Sequence, residues 1–421
     1  MHRLIVLISL IAVTLPYASC EGSDTRQRCI APSFKSLTVS YAGDMYAPPV
    51  INIKNENERI VISFDELADE HRYLRYSLTH CDSEWKPEGL VDSEFLDSFN
   101  EGTVDNFDYS QATVVHYVHY AIAVPNEHIR ITQPGNYLLR VYDERDPDDT
   151  LVQARFGVSD FSAQVTASAS SRTDIDSNGR HQQIDLTVDT RHLGVEDPFN
   201  DIKIVVTQNG RTDNEATLTA PQRIAGDMLI YEHDRRLIFP AGNEYRRFDI
   251  SSVNYPGIGV SHIDHDTPVY NALLHTDVPR NSTSYLYDRT QHGRFLVRST
   301  DTDQPDTGSD YILTHFTLEM PPLAGYDIFI DGDLTSREFG PSSRMIYNHA
   351  SGCYEQSLLL KQGAYNYQYL AVPADRLKGE TARIEGDRYQ TTNEYTIRVY
   401  HRPKGSRFDR LVGVTSVTSG M

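Results

Sequence analysis

Apolar residues recur at every second position in short runs, and no stretch of the 421 residues sustains the period of an amphipathic helix. Leu74, Tyr76 and Leu78, for example, alternate with Arg75, Ser77 and Thr79, the pattern of a pleated ribbon with one buried face. The runs are bounded by Pro, Asn, Asp and Gly, which supply tight turns. A chain patterned this way is restricted to antiparallel sheets packed face to face, and the expected fold is all-β: tandem immunoglobulin or fibronectin type III-like sandwich modules.

At 421 residues the chain exceeds one core, since domains run to roughly 100–200 residues. The first module is expected over 33–158, with strands at Leu37–Tyr41, Arg59–Asp65, Arg72–Thr79, Val114–Val124, Asn136–Asp143 and Val152–Val158. A middle sandwich is expected over 160–298, where Asn209-Gly210 is a two-residue hairpin signal. Residues 299–309 (STDTDQPDTGS) read as a polar linker. The last module is expected over 310–421, from the strand Tyr311–Leu318 to the strand Tyr395–Tyr400 and a tail.

The formal net charge of −20 argues against nucleic acid and anionic lipid surfaces, which need a basic footprint. Residues 1–20 read as a signal peptide: a short basic start, the apolar run Leu4–Leu15 and small residues beyond it. Ala18-Ser19-Cys20 also fits a lipoprotein signal, although Tyr17 stands where Leu is usual, so lipidation at Cys20 and ordinary cleavage both remain open. The spacing of Cys29, Cys81 and Cys353 gives neither a zinc pattern nor a disulfide framework, and their pairing is not deducible. Cys81 ends an alternating strand and reads as a small buried hydrophobe.

No nucleophile elbow, H-E-x-x-H or phosphate-binding glycine loop occurs, so no catalytic residue, metal site or cofactor is assigned. His116 and His119 lie three apart in a strand and point to opposite faces. Asp174, Asp176, Asn178, Gly179 and Asp185 match a calcium loop except for the final Asp, but the flanks read as strands, which favours a hairpin of turn-formers. The acidic cluster Asp143–Asp149 reads as a solvated hairpin tip. From Asp82 to Gln111 the alternation stops, leaving a long aromatic, acidic loop with at most one helical turn near Glu94–Phe99. Loops this long in compact domains tend to be binding loops, lids or Ω-type loops.

This stretch carries a resemblance. His80, Cys81, Asp82 and Trp85, followed by Glu94, Phe95, Leu96, Asp97, Phe99, Asn100 and Glu101, resemble the signature of the plug proteins of the type IX secretion system. Val124–Glu127, Gly135–Tyr142, Phe239–Asp249 (FPAGNEYRRFD), Gly363–Tyr369 and Arg402–Gly413 (RPKGSRFDRLVG) fit the same family, in order. The run from YDIFIDGDLTS to GAYNYQYLAV is also similar to the early-set immunoglobulin-like modules of glycogen-active proteins. The Trp residues that grip sugar there are missing: Ser336, Arg337 and Glu338 follow the GDLT turn.

The resemblance implies a non-catalytic periplasmic protein, associated with the outer membrane through its partner or a Cys20 lipid. Its partner would be the giant outer-membrane translocon barrel, which it would bind reversibly and seal when no substrate is engaged. The expected contacts are Trp85, Phe95, Phe99, Asn100 and Phe107 on the loop, Phe239, Asn243, Tyr245 and Phe248 in the middle, and Arg402, Arg407, Phe408 and Arg410 near the end. Any of these could instead pin one module to the next, and the basic tail would suit an acidic partner or an acidic neighbour within the chain. Trp85 reads first as a plug over one end of its sandwich. The competing expectation is a surface glycan-binding lipoprotein using the last module, with Tyr365, Tyr367 and Tyr369 as its stacking face.

Overall fold

The computed structural model describes residues 24–42, 44–265 and 268–420, and the signal-peptide region and Cys20 lie outside them. The described chain forms six sheets, paired into three sandwiches. In the first sandwich, Phe34–Tyr41, Ile60–Glu66, Val118–Val124 and Phe107–Tyr109 make one sheet. Arg28–Cys29, Asp146–Ser159, Gly135–Asp143, Leu74–Cys81 and Gly102–Thr103 make the other, with Val50–Asn52 added in parallel. Ile60, Ile62 and Phe64 on one face and Leu74, Tyr76, Leu78, Leu139 and Phe156 on the other fill the space between. The long loop is less bare than its sequence suggests. It holds one turn of helix, Asp92–Phe95, and two short strands that pair with Arg75 and Tyr76 and with Val118–Tyr120.

The second sandwich packs Gln164–Ser170, His181–Asp189, Met228–Tyr231, Arg223–Ala225 and Ile238–Pro240 on a sheet of Ala216–Leu218, Ile202–Gln208, Glu394–His401 and Arg410–Thr418. The last two strands were expected in the C-terminal module. They close the middle one instead, through a seven-residue antiparallel register from Ile202↔His401 to Gln208↔Tyr395. Conversely, Arg246–Asp249, Val260–Asp264, Asn271–Leu274 and Phe295–Val297, expected in the middle module, join the third sandwich with Tyr311–Glu319, Tyr326–Asp331, Ile346–Asn348, Cys353–Lys361 and Gly363–Pro373. The third module is thus inserted into the second. Alternation identifies a strand but carries no label for its partner, so a nested topology reads as a sequential one.

Two local readings also change. Asn209 (φ +53) and Gly210 (φ +74) make a tight turn, closed by Arg211 N–H donating to Gln208 O at 3.0 Å, yet the return strand resumes only at Ala216. Residues 299–309 are not a free linker. Pro305–Gly308 forms a helical turn, Tyr117 Oη donates to Ser309 O (2.8 Å), and Ser309 is fully buried.

The modules stack through the outer faces of their sheets. Tyr395, Ile397 and Val399 enter the second core, while Tyr400, Val205 and Leu411 on the opposite face pack on Val50 of the first module. Close approach is possible because position 157 is glycine: a Cβ there would sit 2.9 Å from Leu411 Cδ2 and Val50 Cγ2.

Candidate interaction site

The loop after Leu74–Cys81 begins with a tight reversal. Asp82 Oδ1 accepts from the backbone N–H groups of Glu84 (2.8 Å) and Lys86 (2.9 Å), and this clasp holds Trp85 at φ +66. Trp85 is half-buried beneath Arg155, whose guanidinium lies 4.6 Å from its ring centroid. It stands outside the buried core of the first sandwich and lines a cavity of about 270 Å³ where the three modules meet.

Further along, the Asn100 side chain imitates a neighbouring strand. Its Oδ1 accepts from Leu78 N–H and its Nδ2 donates to Leu78 O and to Asp92 Oδ1, each at 2.8 Å. This pins the loop to the sandwich and buries Phe95 (2% exposed) beside His80 and Tyr137. Phe99 is left outside at 91% exposure. Phe107 is half-buried, stacked on His71 with centroids 4.3 Å apart, next to the exposed Tyr73 and Tyr109. Of the five loop residues, only Phe99 presents its whole side chain to solvent; Phe95 belongs to the core and is no surface contact.

The middle group is internal throughout. Phe239 packs on Tyr395 in the second core, and Phe248 stacks on Tyr365 in the third (5.0 Å, 6°). Between them the chain crosses from one module to the other. Asn243 Nδ2 donates to Glu385 O (2.9 Å), and Tyr245 Oη meets Gln368 Nε2 (3.0 Å) and Asp331. These four residues fix the junction and do not reach the surface, because a segment that crosses between two cores must bury side chains in both.

The basic tail meets acidic neighbours within the chain. Arg402 pairs with Glu88 (2.8 Å), Arg407 with Glu94 (2.7 Å) and Arg410 with Asp160 (2.6 Å), all in or beside the first module. Phe408 lies edge-on to His80 with centroids 5.4 Å apart, and His80 Nδ1 is 2.8 Å from Glu88 Oε2. Asp409 Oδ2 accepts from Ser83 N–H (2.9 Å). The end of the chain therefore clamps the base of the long loop, leaving Arg407 its most exposed member.

Sequence reading missed a polar cluster joining the first and third modules. Asp65 Oδ2 accepts from Lys361 Nζ and Tyr311 Oη, its Oδ1 lies against His119 Nδ1, each at 2.7 Å, and Lys361 stands 4.2 Å from the Tyr117 ring centroid. The one signal was Lys361 closing the apolar run Leu358–Leu360. Elsewhere, Cys29, Cys81 and Cys353 are free, and burial pushes the Cys29 and Cys81 thiols up to about 12. In the Asp174–Asp185 hairpin the carboxylates are occupied locally: Asp174 by His233 and Gln183, Asp176 by His181 and Arg180 N–H, and Asp185 by His233 N–H. Tyr365, Tyr367 and Tyr369 are all buried in the third core and offer no stacking face.

Three cores stacked through glycine-permitted contacts and buried polar ties define a multi-module β-sandwich protein. Residues 34–160 match the first domain of the type 9 secretion system plug protein. Over 94% of its length the chain is 39% identical to a hypothetical protein from Parabacteroides merdae, whose crystal structure it covers to 99% with a TM-score of 0.92. A biofilm-associated protein BSP domain, 7% identical with 61% of that chain covered, superposes at a TM-score of only 0.20. No curated protein matches the chain. The chain belongs to the type IX secretion system plug protein family.

Proposed function

We propose that this protein is a non-catalytic periplasmic plug that binds the giant outer-membrane translocon barrel of type IX secretion reversibly and seals its periplasmic end while no substrate is engaged. Family membership supports the connection to type IX secretion. The observation that carries the sealing role is mechanical. Three sandwiches are locked by buried ties such as Asp65–Lys361 and by interpacked sheet faces, so the protein behaves as a stiff body, while the long loop projects Phe99 at 91% exposure. A stopper must resist deformation and still offer an apolar anchor for a reversible contact. Release on substrate engagement is then a population shift between barrel states and needs no bond chemistry.

The test is co-purification from envelopes with a C-terminal tag. Recovery of the large barrel, increased when substrate export is blocked upstream, is the expected result, with Phe99→Ala reducing it. A tagged protein that recovers no barrel in either state overturns the proposal.

A further inference from the structure

The cavity where the three modules meet is lined by more basic than acidic side chains, in a protein of net charge −20. Its walls include five arginines, Arg26, Arg155, Arg294, Arg337 and Arg398, against Glu394 and Asp333. Three of the five are neutralised locally: Arg26 by Asp24 (2.5 Å), Arg294 by Glu394 (2.6 Å) and Arg337 by Asp333 (2.8 Å). The other two are not. Among the described residues the Arg155 guanidinium donates only to Thr25, through Nε to the carbonyl (2.6 Å) and Nη2 to Oγ1 (3.0 Å), and lies over Trp85. Arg398 makes no side-chain hydrogen bond and no ion pair with any described residue.

These two guanidinium groups face one space from different modules. Arg155 lies on the outer face of the first module's sheet, and Arg398 on the outer face of the second's, between Thr396 and Tyr400. Burial pulls Arg155 down to about 10, the fields of Glu215 and Asp24 oppose it, and the repulsion of Arg398 adds only a smaller downward pull. The field of Glu215 reaches both without forming an ion pair with either. Neither guanidinium has an ion pair of its own, so two like charges share the field of Glu215 on a partly buried wall. Guanidinium forks match carboxylate and phosphate oxygens in geometry as well as charge.

We propose that this cavity is an oxyanion-binding site, in which a small carboxylate or phosphate compound bridges Arg155 and Arg398 above the Trp85 ring. Because Arg155 and Arg398 come from the first and second modules, the bound anion ties those two together. The site is independent of the plug reading and stands or falls without the barrel.

Trp85 is the chain's single tryptophan, so its fluorescence reports on the cavity alone. The purified full chain is titrated with inorganic phosphate and, separately, with citrate, each to about 50 mM at constant ionic strength set with sodium chloride, a range that covers dissociation constants near 1 mM. A saturable change in Trp85 emission is expected with at least one of them, accompanied by a rise in unfolding temperature of about 2 °C near saturation. Arg398→Gln, which breaks no side-chain hydrogen bond or ion pair among the described residues, should weaken that binding at least tenfold while shifting the unfolding temperature in chloride by less than about 2 °C. Response to phosphate alone assigns a phosphate ligand, and to citrate alone a carboxylate one. No saturable change with either anion, or an undiminished response in Arg398→Gln, overturns the site.

Discussion

Lys361 Nζ lies 2.7 Å from Asp65 Oδ2 across the boundary between the first and third modules, and both side chains are 1% exposed. Burial alone would push the Asp65 carboxyl up, but Lys361 and His119 outweigh it and hold it below its ordinary value. An ion pair this deep contributes modest net stability, yet removal of one partner strands a charge. Lys361→Met is therefore expected to cost about 3 kcal/mol or more, measured by denaturant unfolding. The double variant Asp65→Asn with Lys361→Met should recover part of that loss; a double variant as unstable as the sum of the singles refutes the coupling.

Glu385 gives a pH dependence of definite sign. It is fully buried between Arg246 (3.0 Å) and Arg280 (2.7 Å). Burial opposes its ionisation, but the two arginines prevail and hold it at about 2, below its ordinary 4.5. A depressed carboxyl stabilises above its unfolded value, so its share, about 3 kcal/mol, is fully present above pH 4.5 and is lost as pH falls toward 2. Glu385→Gln should flatten the stability profile in that window, and an unchanged acid slope would count against this role.

Phe95 and Phe99 separate packing from recognition. Phe95→Ala empties a core position and should cost about 3–5 kcal/mol. Phe99→Ala should leave stability within about 0.5 kcal/mol while lowering recovery of the barrel. A thermally sensitive Phe99→Ala, or one with full barrel recovery, would remove Phe99 from the contact surface.

Gly157 tests how the first two modules are joined. A valine there meets Leu411 and Val50 where the outer sheet faces touch, and overpacking of this kind costs about 1–3 kcal/mol. Hydrogen exchange should rise first in Arg410–Thr418, the edge strand that carries Leu411. Increased exchange confined to the Asp65 side would place the strain elsewhere.

The sequence by itself determined the element type nearly everywhere. Leu74, Tyr76 and Leu78 alternate because one sheet face must be dry, and that constraint is local and visible in any short window. The long loop was legible through its lost alternation, and the family through His80-Cys81-Asp82 and its later segments. Strand partners and burial at the junctions were decided by tertiary structure. Glu394–His401 pairs with Ile202–Gln208 across nearly two hundred residues, and backbone hydrogen bonds carry no address, so nothing in either strand names the other. The same holds for Phe239 and Phe248, aromatic residues that a surface contact and a module junction would use equally well. Only the stacking of three cores drew them inward, set Lys361 beside Asp65, and left Phe99, alone among the aromatic contact candidates, fully facing water, because the docked face of each sheet is chosen by neighbours far away in the chain.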